Sequence, residues 1–175
     1  AVKYLRQTYD IPFVGMEPAI KPAAAATHTG KIGVLATRTS LGSHWFGELS
    51  GKYAKGVKII RAGGEGFVEA VENGTEQSES TRLLVKNAVH PLIEAGVDCL
   101  VLGCTHYPFL ASQIAEAAGS NIRIIDPSPA IARRVASLLD QYDIKADQSH
   151  TPEYLFLSAA GADYSARLRK RAMSL

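Results

Sequence analysis

The sequence is short of the residues that would tie it to several classes of protein. It has two cysteines in 175 residues, Cys99 and Cys104. They lie too close together to staple a fold, which makes a reducing compartment, the cytoplasm, the expected setting. No apolar run reaches the roughly 18 to 20 residues that cross a bilayer, so no membrane partner is expected. Neither sign of charge dominates. Nineteen Lys plus Arg face seventeen Asp plus Glu, for a formal +2, and the one basic cluster, "RLRKR" near the C-terminus, reads as a solvated face. Nucleic acid is therefore not an expected partner. The opening "AVKYLRQTYDIPF" lacks the charged leader and apolar core of a secretion signal and reads as helix over residues 1–9.

What is present is 46% hydrophobic residues, enough for one sizeable domain or two small ones sharing a core. Strand-like apolar runs alternate with helical patterns: "FVGM", "KIGVLAT", "VKIIRA", "VDCLVLG", "IRIID" and "EYLFLSA" read as strands. Between them, the spacing predicts helices over "AIKPAAAA", over residues 44–53 and "FVEAVENG", and over residues 78–96 with Leu83, Leu84, Ala88, Leu92 and Ile93 on the apolar face. Further helices are expected over "FLASQIAEAAG", "PSPAIARRVASLLDQY" and the basic C-terminal segment. Glu17, Asp126 and Ser128 are candidate caps, and Trp45, Phe46 and Tyr53 candidate core or interface. Continuously apolar strands alternating with helices predict the α/β class, with parallel sheets covered by helices. Ligands of such folds bind at the C-terminal ends of strands, so polar residues there carry the functional signal.

The sharpest of those ends is "DCLVLGCTHYPFL", where Cys104, Thr105 and His106 follow a buried strand and Gly103. A free cysteine is usually a buried, inert residue. Here it precedes a helix whose terminal amides would favour a thiolate, and an imidazole lies two residues on. Zinc would need three or four converging ligands, and Cys104 with His106 supplies at most two, so no metal is expected. A thiol hydrolase would need a base held by a third group, and none of His28, His44, His90 or His150 is marked out for that role. Cys99 belongs to the strand and is expected in the core.

The Cys-Thr-His-Tyr-Pro segment, with "VGMEPAIKPA", "IGVLATRTSLGS" and "IIDPSPAIARRVA" in the same order, resembles glutamate racemases of the aspartate/glutamate racemase superfamily over essentially the whole chain. The resemblance implies cofactor-independent interconversion of L- and D-glutamate by two cysteines on opposite faces of a small-molecule substrate, supplying D-glutamate for peptidoglycan. Under it, Cys104 is the second catalytic cysteine, His106 assists it, and Glu72 is a carboxylate that influences the site's protons. Thr37, Ser40 and Thr105 bind substrate, with Ser40 in place of the more usual threonine. "AGGEG", before the helix of Glu72, departs from the family's pattern.

The family's first catalytic cysteine and its N-terminal Asp-Ser segment are expected before residue 1, so the chain is expected to be the C-terminal part of a racemase, inactive alone. By resemblance, residues 16–124 form one complete α/β domain. Residues 1–15 and 125–175 then belong to a second, and a homodimer is possible. An aspartate-type racemase and a non-catalytic carboxylate-binding module are the alternatives.

Overall fold

The computed structural model describes residues 2–147 and 149–173. Its frame is one parallel sheet of four strands: β1 (Lys31–Ala36), β2 (Lys58–Gly63), β3 (Cys99–Leu102) and β4 (Arg123–Ile125), in spatial order β2-β1-β3-β4. The two central strands, β1 and β3, are almost wholly buried because helices cover both faces, which is why their sequences run apolar without alternating. Successive side chains still point to opposite faces. Leu35, Leu100 and Leu102 enter one apolar layer with Val85, Val89 and Leu92; Val34, Cys99 and Val101 enter the other with Ile20 and Phe46.

In chain order the helices are α1 (Val2–Thr8), α2 (Ile20–Ala26), α3 (Arg38–Leu41), α4 (His44–Tyr53), α5 (Phe67–Glu72), α6 (Glu79–Glu94), α7 (Ala111–Ala118), α8 (Ser128–Gln141) and α9 (Ala162–Ala172). A single turn of 3-10 helix, Tyr107–Leu110, precedes α7. Three of them, α3, α4 and α6, start at side-chain caps. The Thr37 hydroxyl accepts from the Ser40 amide, Ser43 from Phe46 and Ser78 from Thr81, each satisfying an amide that the helix leaves open. At the other end of the sheet the Asp98 carboxylate, just before β3, fastens the loop before β1. It accepts from the Thr27 hydroxyl at 2.5 Å and from the His28 and Thr29 amides at 2.6 and 2.9 Å. Burial alone would raise its pKa, but those bonds together hold it well below the usual carboxylate range.

Several expectations need correcting. Residues 13–16 form no strand, and neither do residues 153–159, where Tyr154, Leu155 and Leu157 are exposed. A strand exists only as a ladder, and apolar composition supplies no ladder partner. The buried stripe of α6 is Thr81, Val85, Val89 and Leu92, whereas Leu83, at 57% exposure, Leu84 and Ile93 face outward. Both stripes have helical spacing, and the side facing the sheet selects between them. Glu17 does not cap α2, whose start at Ile20 shows no side-chain cap. Asp126 does cap, accepting from the Ser128 amide at 2.8 Å. Phe46 is fully buried and Trp45 is not. Ala1, the first residue of the expected N-terminal helix, lies outside the described residues, as do Ser174 and Leu175 at the chain's end.

Two compact units divide the chain, Ala1–Leu138 and Leu139–Leu175. The first holds the sheet and both apolar layers. The second holds the end of α8, the segment around residues 154–157, and α9. No helix among the described residues is long and apolar enough to cross a membrane.

Candidate active site

Three segments leave the C-terminal edge of the sheet side by side. β1 ends at Ala36 and continues into Thr37; β2 ends at Gly63, the register partner of Ala36; β3 continues through Gly103 into Cys104. The Gly103 amide donates to Leu35 O at 2.7 Å. A methyl group on Gly103 would stand 2.9 Å from the Ala36 Cβ and 3.0 Å from Leu35 O, so a glycine is what lets the Cys104 segment leave in contact with β1.

Cys104 begins a tight turn, closed by the Tyr107 amide donating to Cys104 O at 3.1 Å. It leads into the 3-10 turn rather than directly into α7, so the expected help from helix-terminal amides is small and the nearby polar partner is a side chain instead. The Cys104 Sγ lies 3.9 Å from His106 Nδ1. The other ring nitrogen, Nε2, lies 2.7 Å from Glu72 Oε1, with the two side chains 29% and 32% exposed. Cys104, His106 and Glu72 thus form one connected line. A carboxylate against Nε2 favours a proton there, which leaves the Nδ1 lone pair facing sulfur. The pair can pass a proton in either direction: thiol to imidazole, or imidazolium to thiolate.

Glu72 reaches His106 because α5 docks on the 3-10 turn. Gly66, with φ +79°, makes the left-handed step that starts α5. Phe67 then packs edge-on against Tyr107 at 5.1 Å between ring centroids. Tyr107 is fully buried and its hydroxyl points at Gly64 O, 3.4 Å away. Burial, and then the neighbouring Cys104, push the phenol's pKa well above its ordinary value, so it stays protonated as a donor.

The remaining predicted residues sit nearby or apart as follows. Thr37 and Ser40 meet at the exit from β1, where the Thr37 hydroxyl donates to Ser40 Oγ at 2.9 Å. Thr105 is exposed beside Cys104. Cys99 lies in the opposite apolar layer, with its thiol pKa raised by burial and then by the Asp98 charge, which keeps it neutral and unreactive. Among the described residues no three His, Cys, Asp or Glu side chains gather to hold a metal ion. Two features were not read from the sequence: Tyr107 as the buried anchor of the site, and an ion pair at its rim, Arg38 Nε to Glu65 Oε1 at 2.6 Å.

Residues 1–135 match the family model for Asp/Glu/Hydantoin racemase. The glutamate racemase of Herpetosiphon aurantiacus is 43% identical over 170 residues, 97% of this chain and 67% of that protein. The glutamate racemase of Ectopseudomonas mendocina is 44% identical over 149 residues, 85% of this chain and 57% of that protein. Among solved structures, that of Escherichia coli glutamate racemase in complex with L-glutamate and the activator UDP-MurNAc-Ala superposes with a TM-score of 0.77 at 30% identity, covering 97% of this chain and 65% of that one. The isoform RacE1 of Bacillus anthracis gives 0.79 at 27% identity, covering 99% and 65%. The chain spans between 57% and 67% of the length of these relatives.

Proposed function

The chain belongs to the Asp/Glu/Hydantoin racemase family, and from that membership we propose that it is the C-terminal part of a glutamate racemase, carrying one of two opposed bases. The observation that carries this reading is the line Cys104–His106–Glu72 at the C-terminal edge of the sheet, next to the Thr37 and Ser40 hydroxyls. The α-proton of an amino acid is a very weak acid. Its removal asks for a reactive base, exclusion of water, and dipoles that stabilise the negative charge as it develops.

A thiolate at Cys104 takes the α-proton from one face of the substrate while a second thiol, outside this chain, delivers a proton to the other. For the reverse substrate the roles exchange. His106 stores and returns the Cys104 proton, and Glu72 holds the ring in the tautomer that allows it. Thr37, Ser40 and Thr105 bind the substrate's carboxylates, and the overall chemistry moves protons alone, so it calls on no cofactor. In the domain reading, residues 16–124 form one complete domain, and residues 1–15 with 125–175 belong to another. Apolar residues such as Tyr4, Ile11, Val135 and Ile144 stand exposed in those flanking parts. The product D-glutamate would serve peptidoglycan synthesis in the cytoplasm.

The full-length protein tests this directly. Circular dichroism should follow loss of optical activity from L- and from D-glutamate, with aspartate turned over far more slowly. Preference for aspartate would favour the aspartate-type enzyme. Glutamate binding without turnover would leave a carboxylate-binding module.

A further inference from the structure

The rim of the site carries an ion pair that the chemistry above does not use. Arg38 follows Thr37 directly and opens α3 at the exit from β1. Glu65 lies two residues beyond Gly63 at the exit from β2, and Gly63 is the register partner of Ala36. The pair therefore ties together two of the three segments that meet at the site. Glu65 belongs to the glycine-rich "AGGEG" stretch that links β2 to α5.

Three details define its chemistry. The Glu65 carboxylate folds back over the end of β2, so closely that a methyl on Gly63 would stand 2.7 Å from Oε1. Among the described residues the hydrogen bond to Arg38 runs through Nε at 2.6 Å, so Glu65 already holds the Nε edge of the guanidinium on which a carboxylate docks. Both side chains are open to water, 84% and 59% exposed, so the pair is weak and exchangeable. The Arg38 hydrogen bond, followed by Glu65's own backbone amide, lowers the Glu65 pKa, so a full negative charge is present near neutrality.

We propose that Glu65 is an internal stand-in for a substrate carboxylate: it occupies Arg38 at the mouth of the site and is displaced when a dicarboxylic amino acid arrives, making Arg38 and Glu65 determinants of substrate affinity. The inference rests on the glutamate racemase reading. It predicts effects of opposite sign from the two halves of one ion pair. Glu65→Gln removes the competing charge and should lower KM for L-glutamate about two- to fivefold, the range expected of an exposed pair. Gly63→Ala keeps the charge but pushes the carboxylate off the strand end, so KM should fall in the same direction. Arg38→Gln removes the cation and should raise KM.

The measurement is KM by circular dichroism and glutamate affinity by titration calorimetry, on the full-length protein and the three variants. An ion pair that only braces the loops would move affinity the same way when either partner is lost, or leave it unmoved, and either result overturns the proposal. Should Gly63→Ala fail to fold, the Glu65→Gln and Arg38→Gln pair decides alone. A wild type without turnover would refute the racemase reading, while the calorimetric affinities would still decide the role of Glu65.

Discussion

Replacing Glu72 by Gln removes one charge from the line that ends at Cys104 and leaves the shape of the site in place. The 2.7 Å contact with His106 Nε2 is a charge-assisted hydrogen bond between side chains less than a third exposed. Such a bond contributes about 1.5–3 kcal/mol when well buried, and partial exposure trims that to about 1–2 kcal/mol. If the bond serves to hold the His106 tautomer, Gln should lower kcat/KM by about 5- to 30-fold. Gln still accepts from Nε2–H, whereas Leu does not, so Glu72→Leu should fall further. L- and D-glutamate have equal free energy, so the loss in kcat/KM must be the same from either enantiomer. Circular dichroism run from both sides checks this, with thermal melts to show that each variant is folded. A folded Glu72→Gln variant within twofold of wild type would refute the assigned role of Glu72.

Further consequences can be measured without turnover. Asp98 has a depressed pKa in the fold, so its stabilisation is fully present above the ordinary aspartate value of about 3.9 and is lost as pH falls below it. Asp98→Asn should therefore cost about 1–3 kcal/mol in chemical denaturation at pH 7, and the gap to wild type should begin to narrow only once the pH falls below about 4. Gly103→Ala would place a methyl 2.9 Å from the Ala36 Cβ and 3.0 Å from backbone oxygen, an overpacking that should cost about 1–3 kcal/mol and a large share of activity, read by melting and by racemisation together. The 175-residue chain made by itself, with Tyr4, Tyr9, Leu155 and Leu157 exposed, should associate in light scattering; a monodisperse monomer with one cooperative melt would contradict the domain reading.

What could be read from the sequence was whatever local chemistry decides. β1 and β3 are visible as unbroken apolar runs because they are central and covered on both faces. The helix expected over residues 44–53 is present, capped by Ser43, whereas the short α3 that Thr37 caps was not expected. The segments at residues 13–16 and 153–159 look equally strand-like and are not strands, since pairing depends on a neighbour that composition does not reveal. On α6, Leu92 is buried and Ala88 packs against the core as expected, but Leu83 and Val85 lie on different sides of the helix, and only the position of the sheet decides which of them is buried. At the site, Cys104 and His106 are legible as neighbours in sequence. Glu72, 34 residues from His106, came from family resemblance, and its contact depends on Phe67 packing against Tyr107. The Arg38–Glu65 pair carries no local signal, because two exposed charges 27 residues apart look like ordinary surface.

The proposed role of Cys104 as one of two opposed bases can be decided by racemisation in deuterium oxide. In the full-length protein, L- and D-glutamate turnover is followed by circular dichroism, and deuterium at the α-carbon by mass spectrometry. Cys104→Ala should abolish racemisation while leaving glutamate binding largely intact. Cys104→Ser should be nearly as damaging, since a hydroxyl is seldom ionised near neutrality. Wild-type-like racemisation of either enantiomer by Cys104→Ala would remove this residue from the chemistry.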